Sequence, residues 1–190
     1  MDNKFFNFIQ PYLQFIDNGN IYRKPFSWLY LLLAAVNLLF PFYVLYEAID
    51  NNIFSADAKF IIVFLLVWII IAAAGWISFQ IWWDRKNKVT QTSAEGAEFV
   101  ATPVFSHFIQ TLGEWFGSWI AFVGFFAGLF SLILGSDAAS FLSAIGIGVV
   151  GGGIITIIVM PIVGFIVIIG SRFVAEMSRA LAAIANNTAK

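Results

Sequence analysis

"FLSAIGIGVVGGGIITIIVMPIVGFIVIIG", residues 141–170, runs for thirty residues without a charged side chain. At 1.5 Å per residue a helix of that length reaches about 45 Å, well beyond the ~30 Å of bilayer hydrocarbon. Its glycines, Gly146, Gly148 and Gly151, also fall in the spacing G-x-G-x-x-G. A dinucleotide loop with that spacing needs a preceding strand, a following helix and an acid about 20 residues on. Here Pro161 and uncharged chain occupy that interval. The stretch therefore reads as a membrane span whose glycines serve helix packing.

Three further apolar runs are long enough to cross a bilayer: residues 27–49, 59–83 and 115–135. The whole chain agrees with them. Of its 190 residues 61% are hydrophobic and 11% charged, and mean hydropathy is +0.88. A soluble domain carries about 25% charged residues. The expected fold is all-α and polytopic, with four transmembrane helices plus cytoplasmic amphipathic helices. Residues 1–26 form an interfacial segment and 27–83 a first transmembrane hairpin. Residues 84–114 form a connector with an amphipathic helix, 115–170 a second hairpin, and 171–190 an amphipathic tail. The N-terminal stretch lacks the basic region, short apolar core and cleavage site of a secretory signal.

Orientation follows from the basic residues, which favour the cytoplasmic side. With four spans, Lys4, Arg23, Lys24, Arg85, Lys86, Lys88, Arg172, Arg179 and Lys190 share one side, and only Lys59 lies on the other. Both termini are then cytoplasmic. Trp28, Tyr30, Trp82, Trp83, Trp115 and Trp119 fall near that face and suit the headgroup layer. Trp68 and Trp76 lie deeper, where packing inside the bundle is expected.

"FFNFIQ" at 5–10 is answered by "FSHFIQ" at 105–110, each ahead of a hairpin. The likeness suggests a two-fold parallel repeat, against chance in a chain with 22 phenylalanines. Phe105, Phe108, Ile109, Leu112 and Phe116 form one helical stripe, as do Phe5, Phe8, Ile9 and Tyr12. Both stripes are expected to lie on lipid or on neighbouring helices. In the tail, Phe173, Met177, Leu181 and Ile184 share a face, and Glu176 has helical spacing to Arg172 and Arg179.

Small residues carry the strongest pattern. Gly117, Ala121, Gly124, Gly128, Ser131 and Gly135 are spaced four, three, four, three and four along span three. Ala144, Gly148, Gly152 and Thr156 make a row of four-residue steps in span four. Such rows let helix backbones approach closely. Pro41 and Pro161 mark kinks, and Gly151, Gly152 and Gly153 with Pro161 also fit a broken helix of the kind that exposes carbonyls to ions. Asn37 is the most central strongly polar side chain. It is expected to bond a backbone carbonyl near the Pro41 kink, or across helices.

Chemistry finds little to work with. There is no cysteine and one histidine, so neither a thiolate site nor a paired-histidine metal site is available. Asp84, Glu95, Glu98 and Glu114 are cytoplasmic acids without a nucleophile and base beside them, and His107 reads as a snorkelling or hydrogen-bonded residue. No catalytic residue, metal or cofactor is expected. Net charge of −1 gives no footprint for nucleic acid.

Residues 104–188 resemble a family of small bacterial inner-membrane proteins known as a domain of unknown function. Pro161, Arg172, Glu176 and the closing "IANNT" carry the likeness. It implies a bacterial inner (cytoplasmic) membrane and no activity. The expected role is a structural or accessory subunit of a membrane assembly, associating through its small-residue seams as a homo-oligomer or with other subunits in the bilayer. The competing expectation is a homo-oligomeric channel or transporter lined by span four.

Overall fold

The computed structural model describes residues 8–92, 100–135 and 153–188. Among these the regular structure is helical, without strands. A short α1 (Gln10–Asp17) leads into α2 (Asn20–Asp50). A 3-10 turn (Ile53–Ser55) then connects to α3 (Ala58–Val89), followed by α4 (Ala101–Leu134) and α5 (Gly153–Thr188). The last four helices are each long and apolar enough to cross a membrane.

Local chemistry sets the boundaries. Pro11 sits in the first turn of α1, where its missing N–H needs no helical partner. Gly19 separates α1 from α2 at φ +69°, and a Cβ there would also run into Val100. Asn52 takes a left-handed conformation after α2, and Gly135 ends α4 at φ +76°. The helices of 31, 32, 34 and 36 residues exceed what ~30 Å of hydrocarbon requires. Each therefore overshoots the slab, and the overshoot is where polar side chains gather.

α2 packs antiparallel on α3, and α4 antiparallel on α5. The two hairpins meet mainly through α3 and α4. Two apolar clusters hold α2, α3 and α4 together. Toward one end, Val63, Val67 and Ile71 pack on Ala127; toward the other, Tyr30 and Ala34 pack on Trp82, Val89 and Val104. Tyr30 meets Trp82 edge-on at 5.2 Å, and Trp82 lies 6.0 Å from Trp115.

α5 enters neither cluster. It is fastened along α4 by small residues: a Cβ on Gly117 would lie 2.5 Å from the Gly164 carbonyl oxygen, and one on Gly128 2.8 Å from that of Gly153. Ala121 faces Gly164, Gly124 faces Met160, and Gly113 faces Ser171. Bare backbone on both sides lets the two helices approach closely enough for dispersion to hold them.

Several expectations change here. The amphipathic segment before span three is no separate helix, because α4 runs unbroken from 101 to 134. The first copy of the suggested repeat is built differently, since α1 ends at Asp17 and Gly19 breaks it from α2; Phe5 lies outside the described residues. α5 runs unbroken through Pro161 to Thr188, so no break stands at that proline. Tyr30 and Trp82 are fully buried, whereas Trp76 is 53% exposed. In a helix apolar on every face, sequence does not show which side turns inward.

Candidate polar junction

The distinctive site lies where α3, α4 and α5 meet, toward the Arg-rich end of the bundle. It is built on the first four turns of α4. There Ser106, His107, Thr111 and Glu114 are buried, while Phe105, Leu112 and Phe116 are exposed. The segment is inverted relative to a soluble helix. The large apolar side chains face outward, and the polar ones turn inward to find partners on neighbouring helices.

Glu114 is the hub. Arg85 of α3 donates to Oε2 from Nε at 3.0 Å, and its Nη2 lies 2.9 Å from the same oxygen. Arg172 of α5 donates to Oε1 from Nε at 2.9 Å and Nη2 at 2.7 Å. Gln110, one turn earlier, donates to Oε1 at 2.9 Å and accepts from Arg179 at 2.8 Å. Arg179 also donates to the Ala175 carbonyl on its own helix. One carboxylate thus ties three helices together through charge-assisted bonds, which are about twice as strong as neutral ones. Arg172 and Arg179 turn toward α4 instead of pairing with Glu176. Glu114 on α4 is buried, whereas Glu176 is exposed.

A second network joins α2 to α4. Tyr30 Oη lies 2.8 Å from His107 Nδ1 and 3.3 Å from Thr111 Oγ1, and Thr111 donates to the His107 carbonyl at 2.9 Å. One proton arrangement satisfies all three groups: Nδ1–H donates to Tyr30, Tyr30 to Thr111, and Thr111 to the carbonyl. His107 is therefore buried and bonded, and it does not snorkel. Ser106 donates to the Ala175 carbonyl at 2.6 Å, welding α4 to α5 one turn further out. Tyr30→Phe removes the central link and leaves the buried His107 Nδ1–H without its partner, while Thr111 keeps its bond to the His107 carbonyl. It should cost about 1–2 kcal/mol, read as a lower melting temperature in detergent.

Asn37 donates to the Leu33 carbonyl at 2.8 Å and accepts from Trp115 Nε1 at 3.0 Å, which makes it a cross-helix link. The carbonyl that Pro41 releases is Asn37's own. It faces Gly75, where a Cβ would come within 2.7 Å. Trp68 donates to the Pro41 carbonyl at 2.8 Å.

The span-three seam of Gly117, Ala121, Gly124 and Gly128 faces α5 within the same chain. Gly135, by contrast, meets nothing within 4 Å. Ala144, Gly148 and Gly152 lie outside the described residues. Thr156 is fully buried, so it is no lining for a pore on the outer side of α5. The α5 positions that meet the seam are Gly153, Ile157, Met160, Gly164, Ile168 and Ser171, a register the row through Ala144 and Gly152 did not anticipate.

Glu114, Arg85 and Gln110 were missed as a constellation. A signal was present: Ser106/His107, Gln110/Thr111 and Glu114 recur at three to four residues along an otherwise apolar helix. That polar stripe marks the inward face of a membrane helix. Among the described residues no group of three His, Cys, Asp or Glu side chains could hold a metal ion. Comparison with known proteins finds no matching family model, no matching curated protein and no matching solved structure.

Proposed function

We propose that this chain is a structural subunit of a bacterial inner-membrane assembly, with both termini cytoplasmic, and that it docks a partner subunit on the free face of α5. The exposed stripe on the last turns of that helix carries the reading. Phe173, Met177, Leu181 and Ile184 are 61%, 51%, 65% and 61% exposed, while Ala175 and Ala182 on the opposite side are buried.

Helix geometry supports placing this stripe in water. From Glu114 to Leu134 α4 rises ~30 Å, enough to fill the hydrocarbon. Arg172 is pinned to Glu114, so the residues that follow to Thr188 continue ~24 Å further along the same helix. Large apolar side chains in that position are stabilised when another helix covers them, by roughly 25 cal/mol per Å² removed from water. Among the described residues the small-residue seam joins α4 to α5 within the chain, which leaves the stripe for association.

Native mass determination in mild detergent, with cross-linking in membranes, tests the reading. A defined homo-oligomer or a stoichiometric complex with another subunit supports it. Met177→Glu with Leu181→Glu should dissociate that complex and leave the melting temperature within a few degrees. A monomer by both methods contradicts the reading.

A further inference from the structure

We propose that Arg85, Arg172 and Arg179 form a site for the phosphate of an anionic phospholipid headgroup. Few of their donors are used within the protein. Glu114 takes Nε and Nη2 of both Arg85 and Arg172. Gln110 and the Ala175 carbonyl take Nη2 and Nε of Arg179. The third nitrogen of Arg172 and of Arg179 bonds to no protein group among the described residues. That of Arg85 has only Asp84, at 3.6 Å.

Charge points the same way. Lys88 sits 2.6 Å from Asp84, and these two cancel. Three guanidiniums against the single Glu114 carboxylate leave two positive charges at the junction. Glu176, the further carboxylate on this part of α5, is exposed and pairs with neither arginine; counting it still leaves one. Carboxylate and phosphate present similar oxygen geometry to a guanidinium fork. Glu114 therefore preorganises the arginines while leaving them short of anionic partners.

Position selects a lipid over a free anion. The junction lies where α4 enters the hydrocarbon, and the Arg172 side chain is half exposed there. α3 and α5 pack on α4 but scarcely on each other, so their arginines reach Glu114 from two sides. One turn deeper, an open apolar groove between α3 and α4 is lined by Ala74, Ile77, Ser78, Ser118, Trp119 and Phe122. A headgroup at the arginines places an acyl chain within reach of that groove. Basic pockets between helices at the membrane face are where acidic lipids bind.

The test uses the full chain in a neutral detergent, titrated with phosphatidylglycerol, phosphatidylcholine or inorganic phosphate. Melting temperature and retained lipid in native mass spectra are the readouts. Phosphatidylglycerol should raise the melting temperature and stay bound, while the other two should do neither. Arg179→Gln, which leaves the Glu114 pairs intact, should weaken phosphatidylglycerol binding about fivefold, the worth of one charge near an acidic headgroup. Glu114→Gln, if it folds, should bind at least as tightly as the parent. Equal stabilisation by phosphatidylcholine, an equal response to inorganic phosphate, or unchanged affinity in Arg179→Gln would each overturn the site.

Discussion

Gly117→Leu should separate α4 from α5 and abolish most of the folded protein. A Cβ at Gly117 meets the Gly164 carbonyl and the Ile168 side chain, and a leucine would add three more carbons in the same direction. Overpacking commonly costs about 1–3 kcal/mol when side chains can shift. Here the obstacle is backbone, which gives way only if the whole helix moves. A loss at or above the top of that range, ~3 kcal/mol, is expected. The natural control is Gly170, on the same helix, where an added Cβ meets nothing within 4 Å. Gly170→Ala should be neutral or stabilising by up to ~1 kcal/mol, because alanine favours helix over glycine. Chemical denaturation of both variants in the same detergent, set against the parent, checks the pair.

Glu114→Ala carries the second large effect. It leaves Arg85 and Arg172 facing each other without their shared carboxylate and removes a partner from Gln110. Deleting one member of a buried ion pair costs about 3–5 kcal/mol. With Arg172 half exposed to screening solvent, the lower end of that range, ~3 kcal/mol, is expected. Lys88 and Asp84 form the contrast, being paired at 2.6 Å but both more than half open to solvent or nearly so. Asp84→Asn should therefore change stability by less than ~1 kcal/mol. A smaller loss in Glu114→Ala than in Asp84→Asn would remove Glu114 from its place as hub.

Span number, helical class and the existence of a small-residue seam were all readable from residue order. Length against bilayer thickness gives the first, and the four-three-four spacing of Gly117, Ala121, Gly124 and Gly128 gives the third. The rotation of each helix was not readable. Phe105, Leu112 and Phe116 look like a burying stripe, yet they face outward, and the inward side of α4 holds Ser106, His107, Thr111 and Glu114 instead. Partner choice across helices was equally hidden. Arg172 has helical spacing to Glu176, but the residue it bonds is 58 positions away on α4. Which of two acids an arginine takes depends on packing, and spacing within one helix does not contain it. The glycine-rich stretch 141–170 shows the same division. Its Gly153 packs on Gly128 and Leu132 of α4, so this part of the stretch serves the chain's own hairpin.

The α4–α5 hairpin closes within one chain, which leaves the outer face of α5 for other contacts. The chain contains no cysteine, so paired cysteines report without background. With Leu132→Cys and Gly153→Cys, a Cβ at 153 lies 2.9 Å from that of Leu132 and 2.8 Å from the Gly128 carbonyl oxygen, so this end of α5 must move outward by roughly 1 Å, which also brings the two Cβ atoms into disulfide range. Oxidation in native membranes should give a cross-linked monomer at high yield and little dimer. Dimer as the main product would contradict the pairing of α4 with α5 in a single chain.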